Sequence, residues 1–176
     1  MVDAARPSRP ERGLWLRILG LAVAGLLAIT VEAAPLGLGA EAYPSPDLLF
    51  CIVAFWALRA PAAVPVLVVF ALGLMRDLLT DQPIGLGVLV LVLAAEMLKS
   101  RQPVLSRQPL AVTWASVGAT ALAMAAALWL GVALSLAEPP GLAALALQVL
   151  ATAAVYPVIA LILPLALGRV RRPLGA

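Results

Sequence analysis

The sequence predicts an all-α membrane protein: a six-transmembrane-helix bundle with both termini in the cytoplasm. Three observations carry that expectation. Hydrophobic residues make up 64% of the 176-residue chain and charged residues 12%, where a soluble domain has roughly 45–50% and about 25%. A mean hydropathy of +1.07 leaves too little charge to cover a wet surface and too much apolar material for a disordered chain. Second, apolar runs of helical length recur, separated by short breaks that hold charges, Pro or Gly. Third, basic residues collect in alternate breaks and acidic residues in the others.

A helix needs about 20 apolar residues to cross roughly 30 Å of hydrocarbon. The first span covers about 14–34, with Arg17 and Glu32 at its interfaces. It has the basic start and small-residue end of a signal peptide, but the acidic Glu32 inside Val31-Glu32-Ala33 argues for an uncleaved span. A single helix from Leu48 to Leu79 would bury Arg59 near its middle, at a cost of about 2.5–3.5 kcal/mol. Pro61 disfavours helix at the residue before it and lacks an N–H, so a turn at Arg59–Ala62 removes that cost. Two short spans follow, 45–58 and 62–79, and then one over 84–98. Gln108 to Ala137 and Pro139 to Gly168 each run 30 residues without a charge, which gives spans over 111–136 and 141–167.

On this division residues 1–13 form a basic cytoplasmic arm, 14–168 the transmembrane domain and 169–176 a basic cytoplasmic tail. Eleven of the 12 basic residues then fall on one side, Arg76 being the exception. Glu32, Glu41, Asp47, Asp77, Asp81 and Glu138 fall on the other. Cytoplasmic loops carry the Lys/Arg excess, so that side is the cytoplasm. The basic pI of 9.8 is thereby explained by topology, and no nucleic-acid partner is expected. Membrane lipid is.

Side-chain chemistry is equally restricted. The chain has no His, no Asn and a single Cys, which excludes a His-based acid or base, a Ser-His-Asp triad, a Cys/His zinc site and an internal disulfide. No cofactor, metal or catalytic residue is expected. In the fifth span small residues recur every four positions, with Ala119, Ala123, Ala127 and Gly131 at the centre. Such a face allows close helix approach, either within the bundle or to a partner. In the sixth, Gln148, Thr152 and Tyr156 lie one turn apart and line either an interhelical hydrogen-bonded seam or a small-molecule pocket. Thr113, Ser116 and Thr120 are expected to bond their own helix backbone, and Glu96 to pair with Lys99. Arg76 and Asp77 are neighbours at the membrane edge, where a carboxylate can compensate a misplaced cation. Asp77 and Asp81 are read as part of a polar loop or partner contact rather than a cation site.

One stretch is more specific. Pro46-Asp47-Leu-Leu, Phe55-Trp56-Ala-Leu-Arg59-Ala-Pro61 and Gly73-Leu-Met-Arg-Asp77-Leu-Leu, followed by Pro83-Ile-Gly85-Leu, together resemble the bacterial rod-shape-determining MreD family. Asp47, Trp56, Arg59, Pro61, Gly73, Asp77, Pro83 and Gly85 match its motif. Gly87 departs from it where many members have His, and Arg76 crowds Asp77. The resemblance implies a fold similar to the six-helix substrate-binding subunits of energy-coupling-factor vitamin transporters. It also implies a non-enzymatic inner-membrane scaffold of the peptidoglycan elongation complex. The implied partners are an MreC-like single-span protein, a RodA-type glycosyltransferase, a class B penicillin-binding transpeptidase and, indirectly, the MreB cytoskeleton. The alternative is a small-molecule-binding transport subunit of the vitamin-carrier type.

Overall fold

The computed structural model describes residues 9–34, 45–79, 85–135 and 141–166. Among them are six α-helices: α1 (Arg9–Ala33), α2 (Leu48–Arg59), α3 (Val66–Leu79), α4 (Leu86–Leu105), α5 (Leu110–Leu134) and α6 (Leu142–Ala166), with a 3-10 turn at Pro61–Ala63. The turn falls where Pro61 requires a break, and Ala63 and Val64 close it by donating to Ala60 O and Pro61 O. The expected third span starts late. Pro65, with no N–H and a fixed φ, suits the position just before a helix, so the chain turns until Val66. Conversely, α4 continues past Glu96, Lys99 and Arg101 and through Pro103 to Leu105, seven residues beyond the expected end at 98. Charges that would end a membrane span do not end a helix.

Length and composition separate the helices into two groups. Gly13–Ala33, Leu110–Leu134 and Leu142–Pro164 are long and apolar enough to cross a membrane. At 12 and 14 residues α2 and α3 are shorter, and α4 carries its three charges. The short α2 is the centre of the molecule. Leu49 through Leu58 are all buried, enclosed by α1, α4, α6 and the 3-10 turn. Outside this core α3 lies between α1 and α4, and α5 between α4 and α6. Helix α1 shows why the layers form, since Leu21, Gly25, Ala28 and Ile29 recur at helical spacing and are buried, while Leu16, Leu19, Val23 and Leu27 face outward. Large apolar side chains are exposed on α1, α3, α4, α5 and α6, as lipid-facing surfaces require.

Proline also shapes the α5–α6 contact. Pro157 inside α6 cannot donate to the carbonyl of Ala153, four residues back. The indole N–H of Trp114 on α5 takes that carbonyl at 2.7 Å. A donor lost from one helix is supplied by its neighbour.

Candidate functional site

At 1.5 Å per residue α2 is about 18 Å long. The first N–H groups of any helix lack intrahelical acceptors and cannot be left bare away from water. Here the Leu49 and Phe50 N–H groups are met by side chains. Phe50 donates to Asp47 Oδ1 at 2.8 Å, and Leu49 donates to Glu32 Oε1 at the end of α1 at 2.9 Å. Asp47 itself donates its backbone N–H to Thr152 Oγ1 of α6 at 2.9 Å. The Thr152 hydroxyl passes the bond on to Gln148 O at 2.7 Å, and the Cys51 thiol donates to Thr152 O at 3.5 Å.

Two carboxylates at one helix start complement its dipole, and a guanidinium then balances them. Arg76 Nη1 of α3 donates to Asp47 Oδ2 at 2.9 Å, with the two side chains 9% and 14% exposed. The sequence suggests the neighbouring Asp77 as the compensating carboxylate. The structure instead shows Arg76 bonded to Asp47, 29 residues earlier, because consecutive helix positions diverge by about 100°.

Asp77 serves the next joint. Its Oδ2 accepts from Gly85 N–H at 3.0 Å and Val88 N–H at 3.2 Å, capping α4 from α3. Gly85 is left-handed at φ +94°, a conformation that favours glycine. Asp77 is 1% exposed and its Oδ1 has no hydrogen-bond partner. That oxygen lies against Gly87, where an added Cβ would overlap it. Gly73 sits one layer deeper, where a Cβ would stand 3.2 Å from Val88 Cα, so α3 and α4 meet backbone to backbone.

The motif residues are thus joints. Asp47 starts α2, while Asp77, Gly73 and Gly85 join α3 to α4. Trp56 is buried edge-on to Phe55 with ring centroids 5.4 Å apart. The exposed Arg59 lies over the Phe55 ring at 5.6 Å and Pro61 begins the turn. Lys99 pins that turn by donating to Val64 O at 3.1 Å while pairing with Glu96 at 2.6 Å. Pro83 and Asp81 lie outside the described residues. Asp47, Asp77 and Thr152 are brought together at one end of the bundle, Arg59 and Pro61 at the other.

The two stripes are placed differently. Thr152 and Tyr156 are buried and Gln148 is half-buried. Thr152 is committed to the α2–α6 seam, as interhelical bonding requires. Ala119, Ala123 and Ala127 are exposed, whereas α5 packs inward through Val117, Thr120, Ala121, Met124 and Ala125. Gly131 is half-buried, and a Cβ there would come within 2.6 Å of Leu86 Cδ2. Ser116 and Thr120 bond Val112 O and Ser116 O of their own helix; Thr113 Oγ1 donates to Leu105 O and Pro109 O. Glu32 and Arg76 are the members of the polar node that motif reading leaves without a role. The available signal is that a charge at the end of an apolar run has to be satisfied.

Chemically this is a cluster of caps that locks α1, α2, α3, α4 and α6 together. Among the described residues no group of three or more His, Cys, Asp or Glu side chains is placed to hold a metal ion. The described residues form an all-helical bundle in which three helices are long and apolar enough to cross a membrane and buried polar groups fasten one helix to the next, the make-up of a membrane protein. Residues 14–163 match the family of rod shape-determining protein MreD. The chain belongs to that family, which is part of the MreBCD shape system. No curated protein and no solved structure matches it.

Proposed function

We propose that this chain is a non-enzymatic, multi-pass scaffold of the bacterial inner membrane that binds an MreC-like single-span protein and supports rod-shaped wall growth. One observation carries the reading: the family match covers residues 14–163, nearly all of the helical bundle, and the charged side chains at the start of α2 and α4 are used to join helices. Recognition then falls to the outward helix faces and short loops. All six helices cross the bilayer in this reading, in an arrangement like that of vitamin-carrier subunits, with the basic end and both termini cytoplasmic. Asp47, Trp56, Arg59, Pro61, Gly73, Asp77 and Gly85 hold the shape that the partner reads. The exposed Ala119, Ala123 and Ala127 offer a close-approach surface, with Gly131 at its inner margin. A RodA-type glycosyltransferase, a class B penicillin-binding transpeptidase and MreB join through the same complex.

Depletion should turn rods into spheres, and the affinity-tagged chain should co-purify with its MreC-like partner. Rod shape retained after clean deletion would overturn the role in shape. Spheres without co-purification or cross-linking to such a partner would overturn the scaffold reading alone.

A further inference from the structure

Charged side chains at the two ends of the bundle are used in opposite ways. At the α2 start, the carboxylates are turned inward onto helix N–H groups or Arg76. At the other end, Arg17 of α1, Arg59 at the end of α2, Arg101 near the end of α4 and Arg107 in the α4–α5 turn are all exposed. Among the described residues none of these four pairs with a carboxylate. Glu96, five residues before Arg101, is bound to Lys99.

Three of these arginines also have outward apolar neighbours. Leu16 and Leu19 flank Arg17, Val66 and Leu67 follow the turn after Arg59, and Val104 and Leu110 bracket Arg107, all of them exposed. Trp15, two residues from Arg17, is 65% exposed. An exposed tryptophan beside an arginine and leucines is the composition of a membrane interface, where the indole sits at headgroup depth. The four cations come from four separate segments. That spread forms a collar rather than a cradle around one compact anion.

We propose that this collar is a docking surface for anionic phospholipid headgroups, which gather around the basic end with their acyl chains against the neighbouring Leu and Val side chains. A cation near an anionic leaflet favours its lipid by about fivefold, and several such cations enrich the boundary layer in acidic lipid.

The full chain is reconstituted in phosphatidylcholine bilayers containing spin-labelled phosphatidylglycerol or phosphatidylcholine with the same acyl chains, and boundary association is read by electron paramagnetic resonance. The expected result is a several-fold preference for phosphatidylglycerol that falls as salt is raised. It should fall several-fold in the Arg17→Gln, Arg59→Gln, Arg101→Gln, Arg107→Gln quadruple variant, the basic arm and tail leaving a smaller residual preference. The matching four-fold Arg→Lys variant keeps the charge and should keep the preference. Equal association of both lipids with the parent chain overturns the proposal, as does a preference that is undiminished in the quadruple glutamine variant. Inorganic phosphate that abolishes the preference where chloride of equal ionic strength does not would assign the arginines to a soluble anion, and also overturns it. Circular dichroism and thermal unfolding of each variant confirm that exposed substitutions leave the bundle folded.

Discussion

The acidic and basic ends of the bundle carry similar numbers of charges yet obey different physics. At the acidic end Asp47 and Asp77 cap α2 and α4, Glu32 reaches across from α1, and Arg76 closes the cluster. Asp77 is 1% exposed there and Arg76 7%. At the basic end Arg17, Arg59, Arg101 and Arg107 are exposed. Helix starts present unsatisfied N–H groups and a positive dipole end, which draw carboxylates inward. Helix ends present carbonyls and a negative dipole end instead; there Lys99 donates to Val64 O, while the long arginine side chains extend outward. Charge at one end is mortar, and at the other a surface.

Four measurements sharpen or break that contrast. The largest effect is expected from Arg76→Met, which strands Asp47 in the seam and should destabilise the bundle by about 3–5 kcal/mol. Adding Asp47→Asn should return part of that loss in a double-mutant cycle read by denaturation in detergent. Additive losses would mean the pair is not coupled. Gly87→Ala comes next: its Cβ overlaps Asp77 Oδ1, so about 1–3 kcal/mol of overpacking strain is expected. The penalty should largely disappear on an Asp77→Ala background, and if it does not, the clash lies elsewhere. Thr152→Val removes the acceptor of the Asp47 N–H and should cost about 1–2 kcal/mol, with Thr152→Ser close to the parent in thermal unfolding. The smallest effect belongs to the basic end, where Arg101→Gln should shift stability by no more than about 0.5 kcal/mol. A large loss there would erase the difference between the ends.

Much of this was legible in the residues. Apolar run lengths, Pro61 and the placement of charge gave six helices with breaks close to those observed, and the Glu96–Lys99 pair followed from helical spacing. What the residues concealed has physical causes. Uniformly apolar helices carry little facial signal, so the series Ala119, Ala123, Ala127 could not be told from the series Val117, Ala121, Ala125, which α5 turns inward. The centrality of α2 was hidden for the same reason, since every side of it is apolar. Arg76 and Asp47 are 29 residues apart, and sequence adjacency favoured Asp77 instead. Gly87 stood out as a departure from the family pattern, and only three-dimensional placement against Asp77 gave it a cause.

The seam between α2 and α6 also bears on how the protein is made. The ribosome delivers α2 with its amides needing partners, and Glu32 is already present on α1. Arg76 arrives shortly afterwards. The acceptor for the Asp47 N–H is Thr152, 105 residues later in the chain, so an early helix is finished only by the last one synthesised. Until then the start of α2 is incompletely bonded, and the bundle is closed only when its last helix docks.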